Sequence, residues 1–356
     1  MEKIELQMLQ ALPLEIKIKK TLLRIEEFVR YFGEENVYIS FSGGKDSTVL
    51  LHLVRSIYPN IPAVFSNTGV EFPEVIQHVK TFPNVEIIRP TKSFAQILKE
   101  YGYPVVSKKV ARALHDLKNP TPRNERSRKW SLSKWRLDKE GNELVGQKNT
   151  YLYLADKWRY LIDAPFNIGS NCCYFLKKKP LKQYLKESGK HPIIGTLADE
   201  CFSREKEYLN RGGCNTYGES NGMCQPLGFW TEQDILQYIY ENDIKIPAVY
   251  GDIVKEEHNG ATQYRTTRED RTGCIYCLFG IQFEKGYNRI QRLQITHPKL
   301  HKYCLDKLEY REVMDFMEIP HTIPEHEIES ATAEIFKNPS CNNSCDSCPL
   351  KCRKAD

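Results

Sequence analysis

Apolar residues between Leu9 and Phe32 recur at roughly i, i+3 and i+4, through Ile18, Leu22, Ile25 and Val29. That spacing predicts one amphipathic helix, stopped at Gly33. The period then changes. Val37 to Phe41 is a short β-branched and aromatic run, hence a predicted strand, and a glycine loop leads from it into helical residues Ser47 to Ile57. Ile61 to Ser66 and Val85 to Ile88 predict two further strands, with a short helix opened by Pro73 between them. Strands alternating with helices imply a parallel sheet covered on both faces. Residues 104–149 break the rhythm with Pro120, Pro122, two tryptophans and many charges, and read as a partly helical insertion or lid. The pattern resumes with Pro192 to Thr196 as a strand and Asp199 to Leu209 as a helix. Thr231-x-x-Asp234 caps a helix running to about Tyr240. The expected fold class is α/β: a doubly wound, Rossmann-like parallel sheet with a basic insertion and a small cysteine-rich C-terminal region. The expected segments are 1–34 (helical), 35–270 (the α/β domain, carrying the insertion 104–149) and 271–356 (cysteine-rich).

Composition narrows the class without naming a chemistry. Forty per cent hydrophobic and 27% charged residues over 356 positions describe an ordinary globular protein. No run of eighteen apolar residues occurs, so no membrane span is expected, and Met1-Glu2-Lys3-Ile4-Glu5 lacks a basic-then-apolar signal. The expected compartment is therefore the cytosol, where twelve cysteines are better read as metal ligands or redox centres than as disulfides. The net charge of +5 is unevenly spread. Between Ser107 and Asn149 twelve Lys/Arg oppose five Asp/Glu, a surplus of seven, which leaves the rest of the chain at −2. Trp130, Trp135 and Trp158 lie in or near this stretch. Cations interleaved with aromatics suit a polyanion with stackable bases, a tRNA or DNA; the alternative is a solvated loop with tryptophans packed on the sheet.

The segment Ser42-Gly43-Gly44-Lys45-Asp46-Ser47 joins a predicted strand to a predicted helix. Glycines let backbone approach a phosphate closely, and the loop amides with the following helix N-terminus make an anion site. Lys45 would add a mobile positive charge, and Ser47 a hydroxyl to phosphate or Mg²⁺. The spacing GxxxxGK[ST] is absent, which disfavours a kinase or GTPase. This loop resembles the PP-loop of the adenine-nucleotide α-hydrolase superfamily. Val64-Phe65-Ser66-Asn67-Thr68-Gly69-Val70-Glu71-Phe72-Pro73-Glu74 resembles that superfamily's phosphoadenosine phosphosulfate (PAPS) reductase branch, with Asn67 where an aspartate is usual. The resemblance spans roughly residues 35–280. It implies a HUP-type sheet with an adenine nucleotide across the strand C-termini and attack at the α-phosphate of ATP, yielding AMP-linked substrate and pyrophosphate. The residues it places on the nucleotide are Ser40, Phe41, Ser42, Gly43, Gly44, Lys45, Asp46, Ser47, Asn67, Thr68, Gly69, Glu71, Lys177 and Gly195. Lys45, Asp46 and Arg204 are the expected catalytic groups. Arg204 follows Gly195 as the family's phosphate arginine does, although Cys201 stands where that family has serine.

The cysteines carry the second signal. Cys172-Cys173 is joined at a distance by Cys274-Ile275-Tyr276-Cys277. A lone CxxC is ambiguous between zinc, redox and iron–sulfur roles. The vicinal pair with a remote CxxC resembles the adenosine phosphosulfate (APS) reductases, which implies a [4Fe–4S] cluster on these four thiolates. Cys-Cys-x-x-x-Lys177-x-x-Pro180-Leu181 echoes the same family, but Leu176 replaces its arginine. Lys177, Lys178, Lys179 and Arg271 are near enough in sequence to offset a cluster's charge. Cys341, Cys345, Cys348 and Cys352 crowd twelve residues with little apolar sequence, which points to a second cluster or Zn²⁺. Cys201, Cys214, Cys224 and Cys304 show no ligand spacing and read as small buried residues, unless one is an exposed thiolate that carries sulfur.

Three readings follow. The first is a PP-loop ATP pyrophosphatase that, with a cluster, transfers sulfur, the acceptor a nucleic acid and the sulfur or electrons from a donor protein. The second is an APS/PAPS reductase that releases sulfite; the terminal Glu-Cys-Gly-[Leu/Ile]-His of that family is absent here. The third is a non-enzymatic nucleotide-binding iron–sulfur regulator. Homo-oligomerisation is left open.

Overall fold

A computed structural model describes residues 1–219, 222–258 and 260–336. The four tail cysteines, Cys341 to Cys352, lie outside the described residues.

Ten strands form one main sheet and two hairpins: β1 (Val37–Ser40), β2 (Ala63–Ser66), β3 (Val85–Ile88), β4 (Trp135–Leu137), β5 (Glu143–Lys148), β6 (His191–Ile194), β7 (Asn215–Thr216), β8 (Met223–Cys224), β9 (Ile253–His258) and β10 (Ala261–Thr266). The main sheet has the order β3-β2-β1-β6-β8-β7 and is parallel except for the β7 edge. The chain winds outward from β1 to β3, then returns to place β6 on the other side of β1. That reversal is the point where open α/β sheets hold ligands, outside the carboxyl ends of the strands. The α/β expectation holds.

The predicted helix over Leu9–Phe32 is two helices, Lys3–Gln10 and Leu14–Phe32, because Pro13 cannot continue the first and opens the second. Ile25, Phe28 and Val29 of the second helix share one buried core with Val37, Ile39 and Phe65 of the sheet. A buried ion pair, Lys17 Nζ to Asp234 Oδ2 at 2.6 Å, ties it to the capping box of helix Glu232–Glu241. A second core joins Val105 and Leu114 at the root of the insertion to Ile275, Leu278 and Tyr310.

The insertion leaves and re-enters the body through a closed neck: Tyr103 N–H donates to Asn167 O (2.8 Å) and Gly169 N–H to Tyr103 O (3.0 Å). Beyond it lie helices Lys108–Lys118 and Glu125–Leu132 and the β4–β5 hairpin. Among the described residues, no helix is long and apolar enough to cross a membrane.

Candidate functional site

The glycine loop caps β1 and starts helix Lys45–Ile57 two residues earlier than the pattern predicts. Gly43 has φ +74°, and a Cβ there would stand 2.6 Å from Val79 Cγ2 and 2.8 Å from Val75 Cγ1. Both the backbone angle and the wall behind it require glycine. Gly43→Ala is expected to lower stability by about 1–3 kcal/mol through the left-handed φ and the forced contact. Nucleotide affinity should fall with it; calorimetric unfolding and nucleotide titration read the two effects, and unchanged affinity would remove the loop from the nucleotide site.

The loop is braced internally. Ser47 Oγ donates to Gly44 O (3.0 Å), accepts from Ser42 N–H (3.2 Å) and lies 3.0 Å from Ser42 Oγ. Thr48 Oγ1 also donates to Gly44 O (3.0 Å), and His78 Nε2 lies 3.2 Å from that hydroxyl. His78 is buried, and burial lowers its pKa to about 4. An imidazole depressed in this way adds stability above its ordinary pKa of about 6.5, and that stability is lost as pH falls from there toward 4. The loss amounts to about 3 kcal/mol. His78→Gln, which keeps a donor for Thr48, should flatten the thermal stability profile between these pH values; an unchanged profile would contradict the buried neutral imidazole.

Lys45 differs from expectation. It is not a mobile cation: only 4% exposed, its Nζ donates to Asp270 O (2.9 Å), pairs with Glu232 Oε1 (3.1 Å) and lies over the Tyr250 ring. Burial pushes its pKa down, but Asp46, Tyr250 and Glu232 outweigh that and leave it raised. Tyr250 Oη accepts from Lys45 N–H (3.2 Å) and bonds Thr272 Oγ1 (2.7 Å). Asp46 Oδ1 is buried with no hydrogen-bond partner, its nearest cation Lys45 at 3.9 Å. Burial raises the Asp46 carboxyl; Lys45 opposes this, Glu200 and Glu232 add to it, and Arg271 subtracts. An orphaned carboxylate oxygen beside the glycine loop fits Mg²⁺, which binds through one or two carboxylates plus substrate phosphates rather than in an all-protein cage.

An open cleft lies over the carboxyl ends of β1 and β2, lined by Ser40, Phe41, Ser42, Ser66, Glu71, Phe72, Lys177 and Thr272 among others. Asn67 Oδ1 accepts from Gly69 N–H (3.2 Å), and Glu71 accepts from Thr68 N–H (3.0 Å) and Thr68 Oγ1 (2.5 Å), so the segment after β2 folds onto itself at the rim. Gly195, just past β6, sits where a side chain would meet Asp46 O at 3.2 Å. Arg204 is not in the loop. It is paired at 3.6 Å with Glu200 and with Glu207 along its own helix, Phe202–Arg211, while Glu200 also reaches Arg271 at 3.7 Å. Beyond Phe72 a second cleft of about 530 Å³ is walled by Arg268, Arg292 and the His297–Glu74 pair (3.0 Å).

Cys172, Cys173, Cys274 and Cys277 converge beside the first cleft. The vicinal Cys172 and Cys173 thiols act on one another, which raises Cys172 and lowers Cys173. Burial pushes Cys274 up to about 11 and raises Cys277. Three cations face the group: Lys108 toward Cys173, Lys177 toward Cys274, and Arg289, whose guanidinium donates to Cys277 O (3.1 Å). Local backbone explains the aim of the vicinal pair. Pro180 has no N–H for the carbonyl of Leu176, the helix widens to a π turn over Tyr174–Lys178, and Ser66 Oγ supplies the missing donor at 3.3 Å. On the other side, Ile275 N–H donates to Val70 O (2.9 Å) and holds the CxxC against the segment after β2.

Four thiols, one buried and three half-buried, faced by Lys108, Lys177 and Arg289, are a donor set that fits an iron–sulfur cluster. Among the described residues, no three His, Cys, Asp or Glu are placed to share one metal ion. A cubane binds each thiolate to a different iron, so its ligands stand farther apart than those around a single ion. Of the remaining cysteines, Cys224 and Cys304 are buried as expected, Cys214 is half-buried against the Tyr208 hydroxyl, and Cys201 is exposed beside Ser203, contrary to the buried role expected of it.

Glu232, Tyr250, Asp270 and Thr272 were not singled out from sequence. Only Arg271-Thr272-Gly273, directly before the CxxC, offered a local signal.

The profile of the phosphoadenosine phosphosulfate reductase domain matches residues 36–119 and 123–278. An uncharacterized protein of Methanocaldococcus jannaschii is 25% identical over 294 residues, covering 82% of this chain and 52% of that protein. Sulfate adenylyltransferase subunit 2 of Shewanella loihica is 28% identical over 221 residues, 61% of this chain and 60% of the relative. Phosphoadenosine 5'-phosphosulfate reductase of Escherichia coli is 36% identical over 69 residues, 18% of this chain and 28% of the relative. The chain thus spans less than two thirds of each of these relatives. Among solved structures, a PAPS reductase from Candida auris in a phosphate complex covers 70% of this chain and 90% of its own at 15% identity and TM-score 0.37. A U34-tRNA thiolase from Methanococcus maripaludis with its [4Fe–4S] cluster covers 87% and 83% at 15% identity and TM-score 0.33. Likeness of that degree assigns no residue a role.

Proposed function

We propose that this chain, which belongs to the phosphoadenosine phosphosulfate reductase domain family, cleaves ATP at the α-phosphate and couples that cleavage to sulfur transfer at the neighbouring thiols. One observation carries the reading: the loop cleft and the four thiols share a wall. Lys177 lines the cleft while its ammonium faces Cys274, and Thr272-Gly273 lines the cleft one residue before that same cysteine.

In this reading the amides of Gly43 and Gly44 and the N-terminus of helix Lys45–Ile57 hold the β- and γ-phosphates. Lys45 exchanges Glu232 for phosphate, and Asp46 takes a magnesium ion that arrives with the nucleotide. An acceptor hydroxyl, on a nucleic acid, attacks the α-phosphorus; the bond to the bridging oxygen breaks and pyrophosphate leaves. Sulfide then attacks the activated carbon, the carbon–oxygen bond breaks, and AMP departs with that oxygen, so electrons balance without a reductant. A [4Fe–4S] cluster on Cys172, Cys173, Cys274 and Cys277 would supply an iron that presents the sulfide. Lys177 fixes the distance between the two half-sites and neutralises charge at their boundary. The Shewanella relative, a sulfate adenylyltransferase subunit, supports adenylation chemistry on this scaffold.

The family and the Escherichia coli relative favour a second reading, a sulfonucleotide reductase. Anaerobically purified protein, assayed with α-labelled ATP, APS or PAPS in the presence of sulfide and nucleic acid, separates them. AMP and pyrophosphate from ATP support the first, sulfite from APS or PAPS the second, and ADP as the main product would sink the PP-loop reading.

A further inference from the structure

The insertion carries the chain's charge surplus, and the structure shows how that charge is displayed. Of its five carboxylates, four are spent locally. Asp116 accepts from Ser127 Oγ (2.8 Å), Glu125 pairs with Lys129 (3.0 Å), Asp138 accepts from the Asn142 amide (3.0 Å) and Glu143 accepts from Ser133 Oγ (2.6 Å). The side chains of Arg112, Arg123, Arg126, Arg136, Lys139 and Lys148 are exposed and have no partner among the described residues. These six cations stand on two helices, the 3-10 turn between them and a hairpin, too dispersed for a compact nucleotide and suited to a polymer with regularly spaced charge. Aromatic faces lie among them: Tyr151 is 78% exposed with Lys109 over its ring, and Phe283, 64% exposed, meets Trp158 edge-on with Lys157 above both. Such faces stack on unpaired bases and cannot reach bases inside a duplex. The surface also has a direction. It begins at Lys108, whose ammonium faces Cys173, and its root is fixed to the cluster-side core by Gly280 N–H on Val106 O (2.8 Å).

We propose that residues 108–160 with Phe283 form a docking surface for a single-stranded nucleic-acid segment and feed it toward the four thiols. This rests on the reading that a nucleic acid is the acceptor, and it names the strandedness and the surface. The test uses the full chain and fluorescein-labelled oligonucleotides of about 16 nucleotides, the upper range of single-strand site sizes. Homopolymeric RNA, the matching DNA and a duplex of equal length are titrated by anisotropy between about 50 and 200 mM KCl. The wild-type chain is expected to bind the single strands more tightly than the duplex, and the RNA and DNA arms identify the sugar. Combining Arg123→Glu, Arg126→Glu and Arg136→Glu should weaken binding at low salt by about tenfold or more and reduce the salt slope by about 2. Tyr151→Ala should weaken single-strand binding about 5- to 100-fold and leave duplex binding unchanged. Both variants should unfold at the wild-type temperature and bind ATP with wild-type affinity in the absence of nucleic acid. Wild-type binding by the triple variant, or preference for duplex, overturns the proposal, as does binding to an acidic protein partner but to no oligonucleotide. Failure to bind any oligonucleotide alongside normal ATP binding removes the docking surface; oligonucleotide binding without AMP and pyrophosphate formation from ATP removes the catalytic reading and leaves the surface standing.

Discussion

Lys45→Ala is expected to reduce ATP cleavage to AMP and pyrophosphate by at least about a hundredfold in kcat, the scale on which single preorganised charge contacts act in transition states. The reason lies in where the ammonium is kept. It is buried under Tyr250 and held by Glu232 and the Asp270 carbonyl, all within one side chain's reach of the loop. A triphosphate need only displace one carboxylate to gain a desolvated cation. Glu232→Gln should therefore be mild, within about fivefold of wild type, because a weaker competitor for Lys45 replaces a stronger one while the donor to phosphate survives. Steady-state kinetics on both variants, with unfolding temperatures as a folding control, decide the matter. Equal and large losses in both would mean that the ion pair, rather than the free lysine, is what catalysis requires.

The second large effect concerns iron. After anaerobic reconstitution, Cys274→Ser should lose about four irons and four sulfides per chain, the content of one [4Fe–4S] cluster, whereas Cys201→Ser and Cys304→Ser should retain them. Cys274 is the thiol that Lys177 faces, so its loss should also lower sulfur transfer to background while leaving pyrophosphate release measurable. Full iron content in Cys274→Ser would show that the cluster, if present, is held elsewhere in the chain.

Much of this was legible in the sequence because it is local. The change of hydrophobic period at Val37, the glycines after it and the Thr231 capping box each depend on neighbours within a few residues, and each stands within two residues of its expected position. Pro13 was a break that the helical spacing masked. The β9–β10 hairpin was missed although Asn259-Gly260 is the dipeptide that favours such turns. The environment of Lys45 was not legible at all. Tyr250 and Asp270 lie 205 and 225 residues away along the chain, and nothing in their immediate sequence says that the fold returns them to the loop. The position of Arg204 shows the same limit from the other side. The sequence reads as either a phosphate ligand or a helix-surface ion pair there, and the structure pairs Arg204 with Glu200 in the turn before its helix and with Glu207 one turn on.

The shared wall between loop and thiols is the claim on which both half-reactions depend, and it can be observed without turnover. Reconstituted protein is titrated with a non-hydrolysable ATP analogue and magnesium while the cluster's absorption and electron paramagnetic resonance are followed. A saturable spectral change that disappears in Lys177→Ala, at unchanged iron content, is the result expected if the two sites communicate through that side chain. A spectrum indifferent to saturating nucleotide in the wild-type protein would contradict it.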